Sequence, residues 1–177
     1  LGTRNGLARL DMKTRNFSTF FIKGDAYRTI YTLYTSKDGT VWIGTDGGLT
    51  RYDEQTKTFD NYTQENSIFF DSDGRKSTDC NISVKSIVED GHGNLYLGTS
   101  SDGVLIFNPK KRTFQRYEKI NNSNSAYSLH LDSKGRLWIG SWSEGLQMIP
   151  NPEQGPRAEH INISVNATGF YTFYKII

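Results

Sequence analysis

Gly39-Thr40-Val41-Trp42-Ile43-Gly44-Thr45 decides the fold, because the phrase returns as Gly93-Asn94-Leu95-Tyr96-Leu97-Gly98-Thr99 and again as Gly135-Arg136-Leu137-Trp138-Ile139-Gly140-Ser141. The chain opens on the tail of a further copy, Leu1-Gly2-Thr3. A second anchor follows each copy: Gly6-Leu7, Gly48-Leu49, Gly103-Val104 and Gly145-Leu146, whose glycines are spaced by 42, 55 and 42 residues. The three residues before the second glycine of each full copy, Val41-Trp42-Ile43, Leu95-Tyr96-Leu97 and Leu137-Trp138-Ile139, are apolar without alternation, as in a strand buried on both faces. A period near 42 residues in β-rich sequence is that of one four-stranded propeller blade. The expected fold is all-β, a β-propeller with about four four-stranded blades.

Working outward from the phrase completes one blade. Upstream, Val84, Ser86, Ile87 and Val88 form the innermost strand. A tight turn follows, Asp90-Gly91-His92-Gly93, matched by Ser36-Lys37-Asp38-Gly39 and Asp132-Ser133-Lys134-Gly135. Its first residue can bind the turn backbone, and its last, a glycine, can take positive φ. Gly44, Gly98 and Gly140 end the second strand where a side chain would strike the adjoining sheet. Downstream, 103–107 gives a third strand, and Phe17, Phe59 and Phe114 lead the fourth, each 11 residues after its glycine.

These marks place a partial blade at 1–23 and blades at 27–63, 82–120 and 125–149. The longer middle spacing puts an inter-blade insertion loop at 64–81, with Phe69 and Phe70 tucked beneath it. Its Asp71-Ser72-Asp73-Gly74 lacks the later carboxylates of a calcium loop. After Ile149, Pro150, Pro152 and Pro156 interrupt the pattern, since proline has no N–H for a ladder. Strand-like segments follow at 160–165 and 170–177 in an unassigned tail, 150–177. Four blades alone would leave bare sheet edges. The chain therefore reads as part of a larger ring, completed by other blades of a parent receptor or by a second copy; the alternative is a ring closed on itself, with the tail donating the two inner strands that the first blade lacks.

Lys plus Arg is 21 and Asp plus Glu is 19, a net charge of +2 that argues against a nucleic-acid partner. No apolar run reaches the ~20 residues of a bilayer span, so no membrane contact by this segment is expected. Cys80 is the single cysteine and forms no disulfide framework. His92, His130 and His160 fall in a turn, a strand and the tail, without metal spacing. The run 140–145 has the wrong spacing for a hydrolase nucleophile turn, and its glycines are the repeat glycines. No phosphate-cradling loop occurs. Catalytic residues, a metal and a cofactor are all unexpected.

Asp132-Ser133-Lys134-Gly135-Arg136-Leu137-Trp138-Ile139-Gly140-Ser141 and the stretch 39–49 resemble the two-component regulator propeller repeat, whose pattern runs D-x-x-G, x-[LV]-W-[IL]-G-T, x-x-G-[LI]. The resemblance covers about residues 1–149 and departs at Ser36, where the usual residue is Asp. It implies an extracytoplasmic, periplasmic sensor of a hybrid histidine kinase that responds to polysaccharide-derived ligands.

In a propeller the loops between second and third strands gather at one end with the inter-blade connections. Here that end holds Asn5, Asp46, Asp102, Trp142 and Glu144 from the loops, and Tyr27, Arg28 and Tyr127 from the connections. This mixture of rings, amides and charges suits a polar ligand with apolar faces, such as an oligosaccharide. Trp142 stands out because the other repeats place no aromatic residue there. The alternatives are an interaction scaffold that uses the same end for a protein partner and, more remotely, a propeller lyase or hydrolase.

Overall fold

The computed structural model describes residues 1–20, 29–80, 82–118, 124–142 and 145–163. Four sheets follow one another along the chain. The first holds β1 (Gly2–Thr3), β2 (Gly6–Leu10) and β3 (Phe17–Phe20). The second holds β4 (Ile30–Thr35), β5 (Val41–Thr45), β6 (Gly48–Asp53) and β7 (Thr58–Tyr62), paired antiparallel in chain order. The third adds β8 (Ile68–Phe70) to β9 (Val84–Glu89), β10 (Leu95–Thr99), β11 (Val104–Asn108) and β12 (Thr113–Arg116). The fourth holds β13 (Ser128–Leu131), β14 (Leu137–Gly140), β15 (Leu146–Ile149) and β16 (Ile161–Asn162).

The repeated phrase explains how the sheets stack. Every residue of β10 is buried, with Leu95 and Leu97 packing toward the second blade and Tyr96 toward the fourth. In β5, Trp42 joins the core shared with the third blade and Ile43 the core shared with the first. Three cores thus lie at the three interfaces between successive blades among the described residues. No core cluster among those residues joins the fourth blade to the first. The arrangement is a partial propeller.

The phrase's terminal glycine is where neighbouring blades touch. A Cβ on Gly98 would sit 2.5 Å from the Ala126 carbonyl, and one on Gly44 would sit 2.8 Å from Val84. The turn glycines Gly39, Gly93 and Gly135 take φ of +86°, +82° and +76°, which only glycine adopts without strain.

Two segments differ from the sequence reading. The stretch 64–81, expected to be a loop, contributes β8, which pairs parallel with β12 as a fifth, outermost strand. Its Phe69 ring stacks on Phe114 at 4.6 Å and 4°. The apolar pair Phe69-Phe70 is therefore a strand, because the fourth strand of the third blade offers a free edge and an apolar face to cover. The tail supplies the last blade's outer strand: β16 pairs with β15 after a detour through a 3-10 turn at Pro152–Gln154. The strand-like segment expected at 170–177 lies outside the described residues.

Candidate functional site

Chain direction brings three kinds of position to one end of the blades. Each inner strand starts there, each second strand returns there, and the loop to the third strand turns there. Tyr34, Val88 and His130 occupy the same place in successive blades, opposite Trp42, Tyr96 and Trp138. Three residues earlier come Tyr31, Lys85 and Tyr127. The residue after each phrase is Arg4, Asp46, Ser100 or Trp142. These two positions change chemistry from blade to blade while the framework beneath them stays constant.

Asp46 organises the first cluster. Its carboxylate accepts from the Tyr31 hydroxyl at 2.7 Å, from the Ser83 hydroxyl at 2.7 Å and from the Lys85 ammonium at 3.0 Å. Lys85 also lies over the Tyr31 ring, 3.2 Å from its centroid, a favourable cation–π placement. The cluster bridges two blades, since Asp46 and Tyr31 belong to the second and Ser83 and Lys85 to the third. Burial alone would raise the Asp46 carboxyl, but hydrogen bonds from Ser83, Tyr31 and Lys85 hold it below its usual value. Burial, followed by the bond to Asp46, pushes the Tyr31 phenol up to about 12.

Trp142 and Tyr127 form the second cluster. Their ring centroids are 5.3 Å apart, inclined by 46°. Trp142 remains 48 % exposed, and its backbone N–H donates to the Ser125 hydroxyl at 3.3 Å. Tyr127 and Arg4 both lie near enough to Tyr31 to influence its ionisation. The end therefore presents the exposed Trp142 ring, backed by the half-buried Tyr127, beside a charged, hydrogen-bonded triad.

Of the residues expected from sequence, Asp46, Trp142 and Tyr127 fall in these clusters. Asn5 sits in the first blade's loop, its N–H bonded to the Thr3 hydroxyl. Asp102 is buried and pairs with Arg116 at 2.7 Å, tying the β10–β11 loop to the outer strand. Tyr27, Arg28 and Glu144 lie outside the described residues. Sequence reasoning missed Tyr31, Ser83 and Lys85, although the alignment of inner strands that places Tyr127 also places Tyr31 and Lys85.

Two segments, residues 25–47 and 121–143, match the family profile described as Two component regulator propeller. Both run through an inner strand and a second strand into the loop that carries Asp46 or Trp142.

Those two segments resemble two-component regulator propeller repeats.

No curated protein matches the chain in sequence. Among solved structures, these repeats superpose on the extracellular domain of the hybrid two component system BT4673 of B. thetaiotaomicron with a TM-score of 0.74, 23% identity, and coverage of 99% of this chain and 23% of that one. The extracellular domain of BT3049 from the same organism gives 0.62 and 23%, covering 82% of this chain and 18% of that one. Virginiamycin B lyase from Staphylococcus aureus gives 0.71 and 16%, with 93% and 50% covered. At these identities the likeness carries the propeller fold. The chain spans about a fifth of the length of each of these two sensor domains. No helix among the described residues is long and apolar enough to cross a membrane.

Proposed function

We propose that this chain is a stretch of the extracytoplasmic sensor of a hybrid two-component receptor, and that the loop end of its blades binds an oligosaccharide. The repeat and the fold support the sensor part of this reading. One observation carries the ligand part: the half-exposed Trp142 ring inclined on Tyr127, beside the Asp46–Tyr31–Lys85 triad. Aromatic faces pack against the C–H faces of a sugar, and an adjacent cluster of charged and hydroxyl groups supplies directional bonds.

The role is binding rather than catalysis. Asp46 already accepts from three donors, and Tyr31 keeps its proton far above neutral pH. Neither is poised to exchange a proton near pH 7. A ligand that spans Tyr127 and the triad would contact the second, third and fourth blades at once, and so would report its presence as a change in blade spacing to the parent kinase.

Calorimetry against a panel of oligosaccharides, on wild type and Trp142→Ala, tests this. Binding that weakens by about tenfold or more in the variant is expected, since one aromatic contact is worth about 1–3 kcal/mol. Absence of binding by the complete receptor to every oligosaccharide would remove the glycan assignment.

A further inference from the structure

The fourth blade departs from the repeat in a way that builds a cavity at the opposite end. In the second and third blades short turns join the third and fourth strands, Asp53 to Thr58 and Asn108 to Thr113. In the fourth blade the chain instead leaves β15, runs through 150–160 as a strap over the third blade, and only then returns as β16. The strap is pinned. The Tyr117 hydroxyl donates to the Pro152 carbonyl, the Glu118 N–H donates to the Pro156 carbonyl at 2.7 Å, and Arg157 pairs with Asp73. Pro152 is buried by these contacts.

Beneath the strap is a cavity of about 350 Å³, at the small end of the range for ligand sites. Both walls carry charge. The strap contributes the Glu153 carboxylate with Pro152 and Pro156, and the blade contributes Lys111 and Gln115 beside Ile106, together with His92 and the Asp90 carboxylate, which already accepts from the His92 and Asn94 N–H groups and the Asn94 amide. Lys111 has no ion-pair partner among the described residues. Glu153 lies 3.6 Å from the His92 imidazole, but both side chains are largely exposed, and such a contact is worth little and yields readily to a ligand.

We propose that this cavity binds an α-zwitterion of amino-acid to dipeptide size, its ammonium against Glu153 and its carboxylate against Lys111. A zwitterion matches each of these charges with an opposite one, whereas a neutral ligand matches neither. Ile106, Pro152 and Pro156 offer apolar surface to a side chain, and Gln115 can bond a peptide group. The strap is absent from the other three blades, so the site follows from the break in symmetry and stands apart from the loop end.

Calorimetric titration of the whole chain with leucine and with alanyl-leucine tests the proposal, using N-acetyl-leucine and leucine methyl ester as singly charged controls. Both zwitterions bind if it holds, and the tighter of the two identifies amino acid or dipeptide as the natural size. Each capped control binds about tenfold weaker or worse, as expected for loss of one charge-assisted contact. Lys111→Met binds leucine and its methyl ester equally, and Glu153→Gln binds leucine and N-acetyl-leucine equally. Trp142→Ala changes none of this, which separates the site from the oligosaccharide reading. Equal affinity of wild type for free and capped forms, or no binding up to about 10 mM zwitterion, a concentration at which even millimolar sites fill, would overturn the assignment.

Discussion

The indole N–H of Trp138 donates to the carboxylate of Asp132 at 2.9 Å, so the second strand of the fourth blade is locked to the turn that precedes it. The same carboxylate accepts from the backbone N–H of Lys134 and Arg136 and from the Arg136 guanidinium. Trp42 and Ser36 repeat the lock at 2.8 Å in the second blade, with a hydroxyl in place of the carboxylate. Ser36 is therefore a working substitute for the family's usual Asp.

The Trp138 bond, with those from Arg136 and Lys134, holds the Asp132 carboxyl far below the usual carboxylate range. A carboxyl depressed in the folded state contributes stability that is present above its unfolded pKa, near 3.9, and is lost as pH falls below it. Thermal melts of wild type should fall off steeply on acidification below about pH 4. Asp132→Asn should start lower at neutral pH and show a flatter acid limb. Parallel curves would remove the special role of this carboxylate.

Gly98 and Gly2 occupy the same repeat position but meet different neighbours. A Cβ at Gly98 would meet the Ala126 carbonyl at 2.5 Å, and one at Gly2 would meet the Ile30 Cγ2 methyl at 2.5 Å. A carbonyl fixed in the backbone cannot give way, whereas a side-chain methyl can turn. Gly98→Ala should lose about 1–3 kcal/mol in urea unfolding, the usual cost of overfilling a packed contact. Gly2→Ala should lose less. Equal losses would mean that the glycine serves backbone freedom rather than blade spacing.

The fold was legible because each blade repeats the same physical demands: an apolar strand covered on both faces, a turn glycine at positive φ, and a glycine where sheets touch. The site was legible only where a residue broke the pattern. Trp142 stood out as a lone aromatic, but Tyr31 and Lys85 lay hidden in strands whose apolar neighbours dominated the reading. Asp102 is itself one of the expected ligand contacts, yet Arg116, 14 residues later, claims it. That partner sits on the outer strand, and no local spacing announces it. β8 was missed for a related reason: three residues carry little periodicity, and the edge they complete is made by Phe114, far along the chain.

Phe69 is 4% exposed and stacked face to face on the fully buried Phe114. Phe69→Ala should destabilise by about 3–5 kcal/mol, the range for removing a buried aromatic ring. Ile68→Ala, at a side chain 44% exposed on the same strand, should cost far less. Denaturant unfolding of the two variants side by side measures the difference. A loss below about 1 kcal/mol for Phe69→Ala would fit an insertion that does not pack as a fifth strand.

Cys80 is buried, and burial, followed by the nearby Asp102 charge, pushes its thiol up to about 12. The thiolate is the reactive form. A thiol reagent at pH 8 should label the native protein very slowly and the urea-unfolded protein within the mixing time. Asp102→Asn removes the carboxylate that opposes ionisation and also unpairs Arg116, so its native labelling should quicken. Rapid labelling of native wild type would contradict the burial.

The Tyr31 phenol, raised to about 12 by burial and then by its bond to Asp46, makes an alkaline counterpart to Asp132. A group whose folded pKa lies above its unfolded value contributes stability that is complete below the unfolded value, near 10 for tyrosine, and is lost as pH rises through the folded value. Wild type should therefore lose stability between about pH 10 and 12 more steeply than Tyr31→Phe, which cannot ionise at that position. Asp46→Asn removes the carboxylate that holds the phenol protonated. It should move the Tyr31 part of the ultraviolet phenolate titration, read as the difference from Tyr31→Phe, toward 10. If Asp46→Asn leaves that titration in place, the bond to Asp46 is not what holds the Tyr31 phenol protonated.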